Sequence, residues 1–147
     1  MIYFDDLAVG QKYPFAKRTV SEEEIIDFAR QYDPQRFHID REAARATPFG
    51  GVIASGWHTG ALTMRLMCDA WILNSSSVGS PGIDQLKWAH PVRPNDTLSG
   101  YAEVLSVKES KSKPDRGIAQ VLMLTKNQND QTVLELHAHI IFMKRPA

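Results

Sequence analysis

Apolar and polar residues change their period along this chain, and the changes mark out its elements. Gln11 to Val20 reads as a first short strand. Ser21 followed by Glu24 is a capping-box pattern, Ser at the N-cap and Glu three residues on. Behind it Ile25, Phe28, Ala29 and Tyr32 repeat at the i, i+3, i+4, i+7 spacing of an amphipathic helix. Pro34 ends that helix, because the residue before a proline is pushed out of helical geometry, so Asp33 is fixed at the helix end. Asp40 caps a short turn of helix through Arg45, which Pro48 and Gly50-Gly51 close. Ser55 caps a longer helix over Gly56–Asn74, whose apolar positions run nearly all round. A helix of that kind is buried on most sides.

After Ser75-Ser76-Ser77 the pattern turns to strands: Leu86–Val92, Thr97–Lys108, Ile118–Lys126 and Thr132–Lys144. In the last of these Leu134, Leu136, Ala138, Ile140 and Phe142 alternate onto one face. Pro91, Pro94 and Asn95-Asp96 mark one turn, and Asn127 to Asp130 another. One buried helix followed by long antiparallel strands predicts an α+β fold, a curved sheet wrapped around that helix. At 147 residues the chain reads as one domain over residues 1–147.

Seventeen basic and seventeen acidic side chains cancel, so no net field favours nucleic acid or an anionic membrane. Lys108, Lys111, Lys113 and Arg116 cluster around one turn and read as a solvated loop. The single Cys68 excludes an internal disulfide, fits a reducing compartment and reads as a small core residue. The opening Met-Ile-Tyr-Phe-Asp-Asp lacks the basic and apolar regions of a signal peptide, and no run approaches the roughly 18 apolar residues of a membrane span. A cytoplasmic protein is expected.

The chemistry concentrates in Asp33-Pro-Gln-Arg-Phe-His38-Ile-Asp40, followed by Phe49-Gly-Gly-Val-Ile-Ala-Ser-Gly56. A carboxylate and an imidazole five positions apart on a Pro-containing loop can hold one water molecule between them. That is what adding water to a double bond, or removing it, requires. The helix start at Gly56 offers a free backbone N–H that could stabilise an enolate oxygen. Asp33, His38 and Gly56 are therefore the candidate catalytic groups. Phe37, Ser55, Trp57 and His58, their neighbours in sequence, are the candidate substrate contacts. Asp40 reads as a helix cap. His137 and His139 share one strand face but have no third ligand in view, so no metal site is assigned. Trp57, Trp71 and Trp88 also suit a core or a dimer interface.

These residues resemble the MaoC-like dehydratases, which include the R-specific enoyl-CoA hydratases. That family's motif runs Asp-x-Asn-Pro-(Leu or Ile)-His-x-Asp, and Asp33, Phe37, His38 and Asp40 stand in register with it. Gln35-Arg36 replaces the motif's Asn-Pro, with the proline moved to position 34. Phe49-Gly50 through Gly56 is similar to the family's Phe-Gly-x-x-Ile-Ala-x-Gly segment, and Pro91-Val92 through Thr97-Leu98 to its Pro-Val-x-x-Gly-Asp-Thr-Leu turn. The resemblance implies a hotdog fold, assembled as a homodimer or a dimer of dimers. It also implies reversible hydration of a trans-2-enoyl-CoA to an (R)-3-hydroxyacyl-CoA, with no cofactor. Two other readings stay open: a hotdog thioesterase, for which Asp69 is the available carboxylate, and a non-catalytic acyl-CoA-binding module.

Overall fold

The computed structural model describes residues 1–147. Helix α1 (Glu22–Tyr32) starts at the expected capping box: Ser21 Oγ accepts the Glu24 N–H, and the Glu24 carboxylate accepts the Ser21 N–H. Its buried Ile25, Ile26 and Ala29 face the core. The helix stops at Asp33, whose φ of −149° and ψ of 69° leave helical space ahead of Pro34. Two short helices follow, α2 (Arg36–Ile39) and α3 (Arg41–Arg45). Asp40 joins them by accepting the Glu42 and Ala43 N–H groups, the cap role expected of it. Helix α4 (Gly56–Ala70) is the central one, capped by Ser55.

Six strands make the sheet: β1 (Lys12–Pro14), β2 (Arg18–Thr19), β3 (Gly82–Lys87), β4 (Thr97–Glu109), β5 (Arg116–Lys126) and β6 (Thr132–Met143). The order is β1-β4-β5-β6-β3, all antiparallel, with β2 paired to the start of β4. Buried and half-buried residues alternate without a break along β5, and the buried set, including Ala119, Val121 and Met123, faces Leu62, Leu66 and Met67 of α4 in one core. Thr63 and Thr125 share a buried hydroxyl hydrogen bond of 2.8 Å that pins α4 to β5. At the far end of α4 the Trp71 ring stacks on Tyr13 at 4.3 Å and packs against Phe142. A curved antiparallel sheet around one helix is the hotdog arrangement.

Three expectations change at their edges. The first strand divides in two, because Pro14 cannot extend the ladder and Phe15 turns inward to be buried. Its partner strand bends at the same place, where Gly100 has φ +139° and a Cβ would meet the Leu124 carbonyl oxygen. Strand β3 lies earlier than Leu86–Val92: the ladder with β6 stops at Lys87, and beyond it Trp88 bonds to Gly56 at the start of α4, the His90 ring to the Thr132 carbonyl at the start of β6, and Val92 to the loop at Ala54. Helix α4 ends at Ala70 rather than Asn74, and its burial, which holds on most sides, is broken along one of them. Trp57 is 63% exposed and Met64, two turns on, 46% exposed, so one stripe of the helix faces outward.

Candidate active site

The break at Pro34 turns the end of α1 toward the start of α4, and this brings the two sequence segments together. Ser55, fully buried, donates its hydroxyl to Asp33 Oδ2 at 2.7 Å and accepts the Trp57 N–H at 3.3 Å, so one side chain caps α4 and ties it to α1. Gln35 Nε2 donates to the other carboxylate oxygen, Oδ1, at 2.7 Å. Gln35 thus supplies a carboxamide where the resembling motif has Asn, and the departure leaves a donor on Asp33. Ser55 is the main cause that holds the Asp33 carboxyl below the ordinary carboxylate range; burial opposes it, and Gln35 and the nearby His38 add to it. Asp33 is therefore ionised at neutral pH.

His38 is buried on α2 and held at Nδ1. Nδ1 lies 2.7 Å from the Ile53 carbonyl oxygen, which can only accept, so Nδ1 carries the proton. Nε2 then presents its lone pair toward the cleft, 3.2 Å from Asp33 Oδ2. The Gly56 N–H, first in α4, has no hydrogen-bond partner in the chain. All three groups line one cleft of about 460 Å³, whose walls include Phe37, Phe49, Trp57 and Trp88. A carboxylate, a basic nitrogen and a free amide donor converging on one apolar-walled space suit proton transfer beside a carbonyl.

The other expected residues are placed plainly. Phe37 and Trp57 line the cleft, and Ser55 stands behind it as the support of Asp33. His58 does not reach the cleft: it is buried and stacked on Phe28 at 4.5 Å, where burial lowers its pKa. Its position one turn into α4 points it at α1. Asp69 is exposed and paired with Arg65 at 3.0 Å. His137 and His139 pair with Glu135 and Asp84. Trp88, which carried no site signal in the sequence, lines the cleft and donates its indole N–H to the Gly56 carbonyl at 2.8 Å. No helix is long and apolar enough to cross a membrane.

Ser55→Ala should raise the Asp33 titration midpoint, read by NMR of its carboxyl carbon. The ionised form stabilises the fold above the unfolded-state value and loses that effect as pH falls through the depressed folded value, so Ser55→Ala should shrink the acid-side window. An unmoved midpoint would show that Ser55 does not set it.

A family model described as a MaoC like domain matches residues 6–127. The crystal structure of the MaoC-like dehydratase from Rhodospirillum rubrum is 40% identical with a TM-score of 0.93, and each chain is covered in full. The R-hydratase PhaJ1 of Pseudomonas aeruginosa is 26% identical with a TM-score of 0.73, over 98% of this chain and 87% of that one. Among sequence relatives, the uncharacterized protein YdeM of Bacillus subtilis is 31% identical over 131 residues, 89% of this chain and 92% of its own. The 3-hydroxybutyryl-CoA dehydratase of Methylorubrum extorquens is 29% identical over 150 residues, 99% of this chain and 87% of its own.

Proposed function

Because this chain belongs to the MaoC-like dehydratase family, we propose that it hydrates trans-2-enoyl-CoA reversibly to (R)-3-hydroxyacyl-CoA with the Asp33–His38 pair. The observation that carries this reading is the tautomer of His38. With Nδ1–H committed to the Ile53 carbonyl, the Nε2 lone pair is free beside an ionised carboxylate.

A water held by Asp33 and His38 loses a proton to Nε2 as its oxygen bonds to C3 of the enoyl thioester. The adjacent Asp33 carboxylate stabilises the imidazolium so formed. The electron pair of the double bond moves toward the thioester oxygen, which the Gly56 N–H stabilises. Nε2 then returns the proton at C2. One water is consumed, no other reactant is needed, and the reverse sequence is dehydration. Both new bonds form on the side of the substrate that faces the pair, so addition is syn. An apolar cavity of about 190 Å³ between Thr63 and Met67 of α4 and Leu136 and Ile140 of β6 offers space for an acyl chain.

The test is loss of the enoyl-thioester absorbance with crotonyl-CoA, run in deuterated water with chiral analysis of the product. The expected product is the (R)-alcohol with syn-placed deuterium. An (S) product, or release of free thiol instead of hydration, would reject the reading.

The same proposal includes a homodimer. Strand β3 has one free edge, and exposed Ile83 on it lies on the same side of the fold as the apolar stripe of α4, both bordering the apolar cavity with Met64. Light scattering at micromolar concentration should give twice the chain mass, and a stable monomer would overturn this part.

A further inference from the structure

The catalytic cleft does not end at its aromatic walls. At His90 and Pro91, which line both spaces, it meets a second trough of about 310 Å³ bounded by the loop before β4 and the β5–β6 turn. Apart from Pro91, every residue lining this trough is polar or charged. A thioester that reacts between Asp33 and His38 must lead its acyl part and its carrier arm away in different directions. The walls of the two spaces differ accordingly.

The hydrogen bonds already made inside the trough decide what it has left to offer. Asp96 is buried and fully engaged: one oxygen accepts the Arg93 N–H at 2.8 Å and the other accepts Gln128 Nε2 at 2.9 Å. Gln128 Oε1 accepts the Thr97 N–H. Asn127 Oδ1 accepts the N–H groups of Asn129 and Gln131, and its amide donates to Gln131 Oε1. The acceptors are thus nearly all occupied. The Arg93 guanidinium makes a single bond, to the Phe49 carbonyl at 2.7 Å, and pairs with no carboxylate. Gln131 Nε2 and the Asn129 carboxamide are free and exposed. What remains is one unpaired cation and a set of amide donors, with the Asn129 oxygen and His90 Nε2 as the open side-chain acceptors.

We infer that this trough takes the phosphopantetheine arm of the thioester, its amide carbonyls on the carboxamides of Asn129 and Gln131 and its phosphate on Arg93. The planar guanidinium fork matches a phosphate, and an ion-paired hydrogen bond of this kind is among the stronger ones. The arm is common to coenzyme A and to carrier-protein thioesters, so the trough recognises what the two share. This inference rests on the thioester reading above, and its test does not depend on turnover.

The experiment is calorimetric titration of the full chain with 4′-phosphopantetheine and with pantetheine, which lacks the phosphate. Wild type should bind the phosphorylated form about tenfold more tightly, the scale of one charge-assisted hydrogen bond. Arg93→Gln should abolish that gap. Because Arg93 also braces Phe49, a second variant is needed. Asn129→Asp keeps its backbone bond and its shape while placing a negative charge in the trough, and should erase or reverse the gap. Arg93→Lys, which keeps the charge, should restore most of it. Equal binding of the two ligands by wild type, no binding of either, or a gap untouched in both Arg93→Gln and Asn129→Asp would overturn the proposal. Comparing Michaelis constants for enoyl-CoA and enoyl-carrier-protein thioesters then assigns the source: sensitivity of only the first to Asn129→Asp points to CoA, and of both to the shared arm. Absence of hydration on every thioester would reject the hydratase reading while the binding gap still reports on the trough.

Discussion

Replacing Asp33 by Asn, or His38 by Ala, is expected to lower enoyl-CoA hydration by about two to four orders of magnitude, the range for loss of a positioned acid–base group. The two losses have different causes. The Asp33→Asn side chain would keep the shape of the carboxylate and could still accept one of the hydrogen bonds from Ser55 and Gln35. It would have no charge to stabilise an imidazolium 3.2 Å away. His38→Ala would remove the base altogether and leave the Ile53 carbonyl without its donor, which costs about 1–3 kcal/mol of stability as an unpaired buried group. Both variants should therefore remain folded, with His38→Ala the less stable. If the two act as one unit, the double variant should be little slower than the worse single one. Steady-state turnover on crotonyl-CoA, with circular dichroism as the check on folding, measures all three. Near-normal turnover in either single variant would remove that residue from the mechanism.

The parts of this site that were legible in the sequence are those that depend on local spacing. Pro34 after a helical repeat fixed Asp33 at a helix end, and the capping box at Ser21 and the cap at Asp40 stand as read, because each is a bond between residues two or three positions apart. The long strands β4, β5 and β6 were visible within about two residues, since each is long enough to show its period. The residues that were misplaced depend on long-range pairing. His58 follows Gly56 by two positions, but a helix turns about 100° per residue, so the neighbour in sequence points to Phe28 on α1 and away from the cleft. The period of two that suggested a strand through Val92 says nothing about where β6 stops offering a partner. The role of Ser55 was hidden for the same reason: its contact with Asp33 spans 22 residues. Trp88 gave no signal because only the fold sets its indole against Gly56.

That contact makes Gly56→Ala the more discriminating test of how the amide donor is positioned. A Cβ at position 56 would lie 2.6 Å from Trp88 Cε2 and 2.9 Å from its Nε1, closer than any side chain tolerates, so either the start of α4 or the indole has to move. Trp88 is itself bonded to the Gly56 carbonyl and stands in edge contact with Trp57 at a ring separation of 5.5 Å. Displacing it disturbs the cleft wall and the helix start together. If the Gly56 N–H is the donor for the thioester oxygen, moving it out of line should cost on the order of 10²-fold in kcat, the scale for losing one such donor. The Michaelis constant should move much less, because the bond matters most as charge develops on the oxygen. Alanine still has an N–H, so the loss should be a matter of position and should be recoverable. Combining Gly56→Ala with Trp88→Ala removes the three atoms nearest the added methyl, and kcat should rise by about tenfold or more over Gly56→Ala alone, less whatever Trp88→Ala costs by itself. A Gly56→Ala variant with unchanged kcat would show that this N–H is not the donor. A double variant as slow as the single, with Trp88→Ala alone still active, would place the obstruction in the cleft itself and take the indole out of the account.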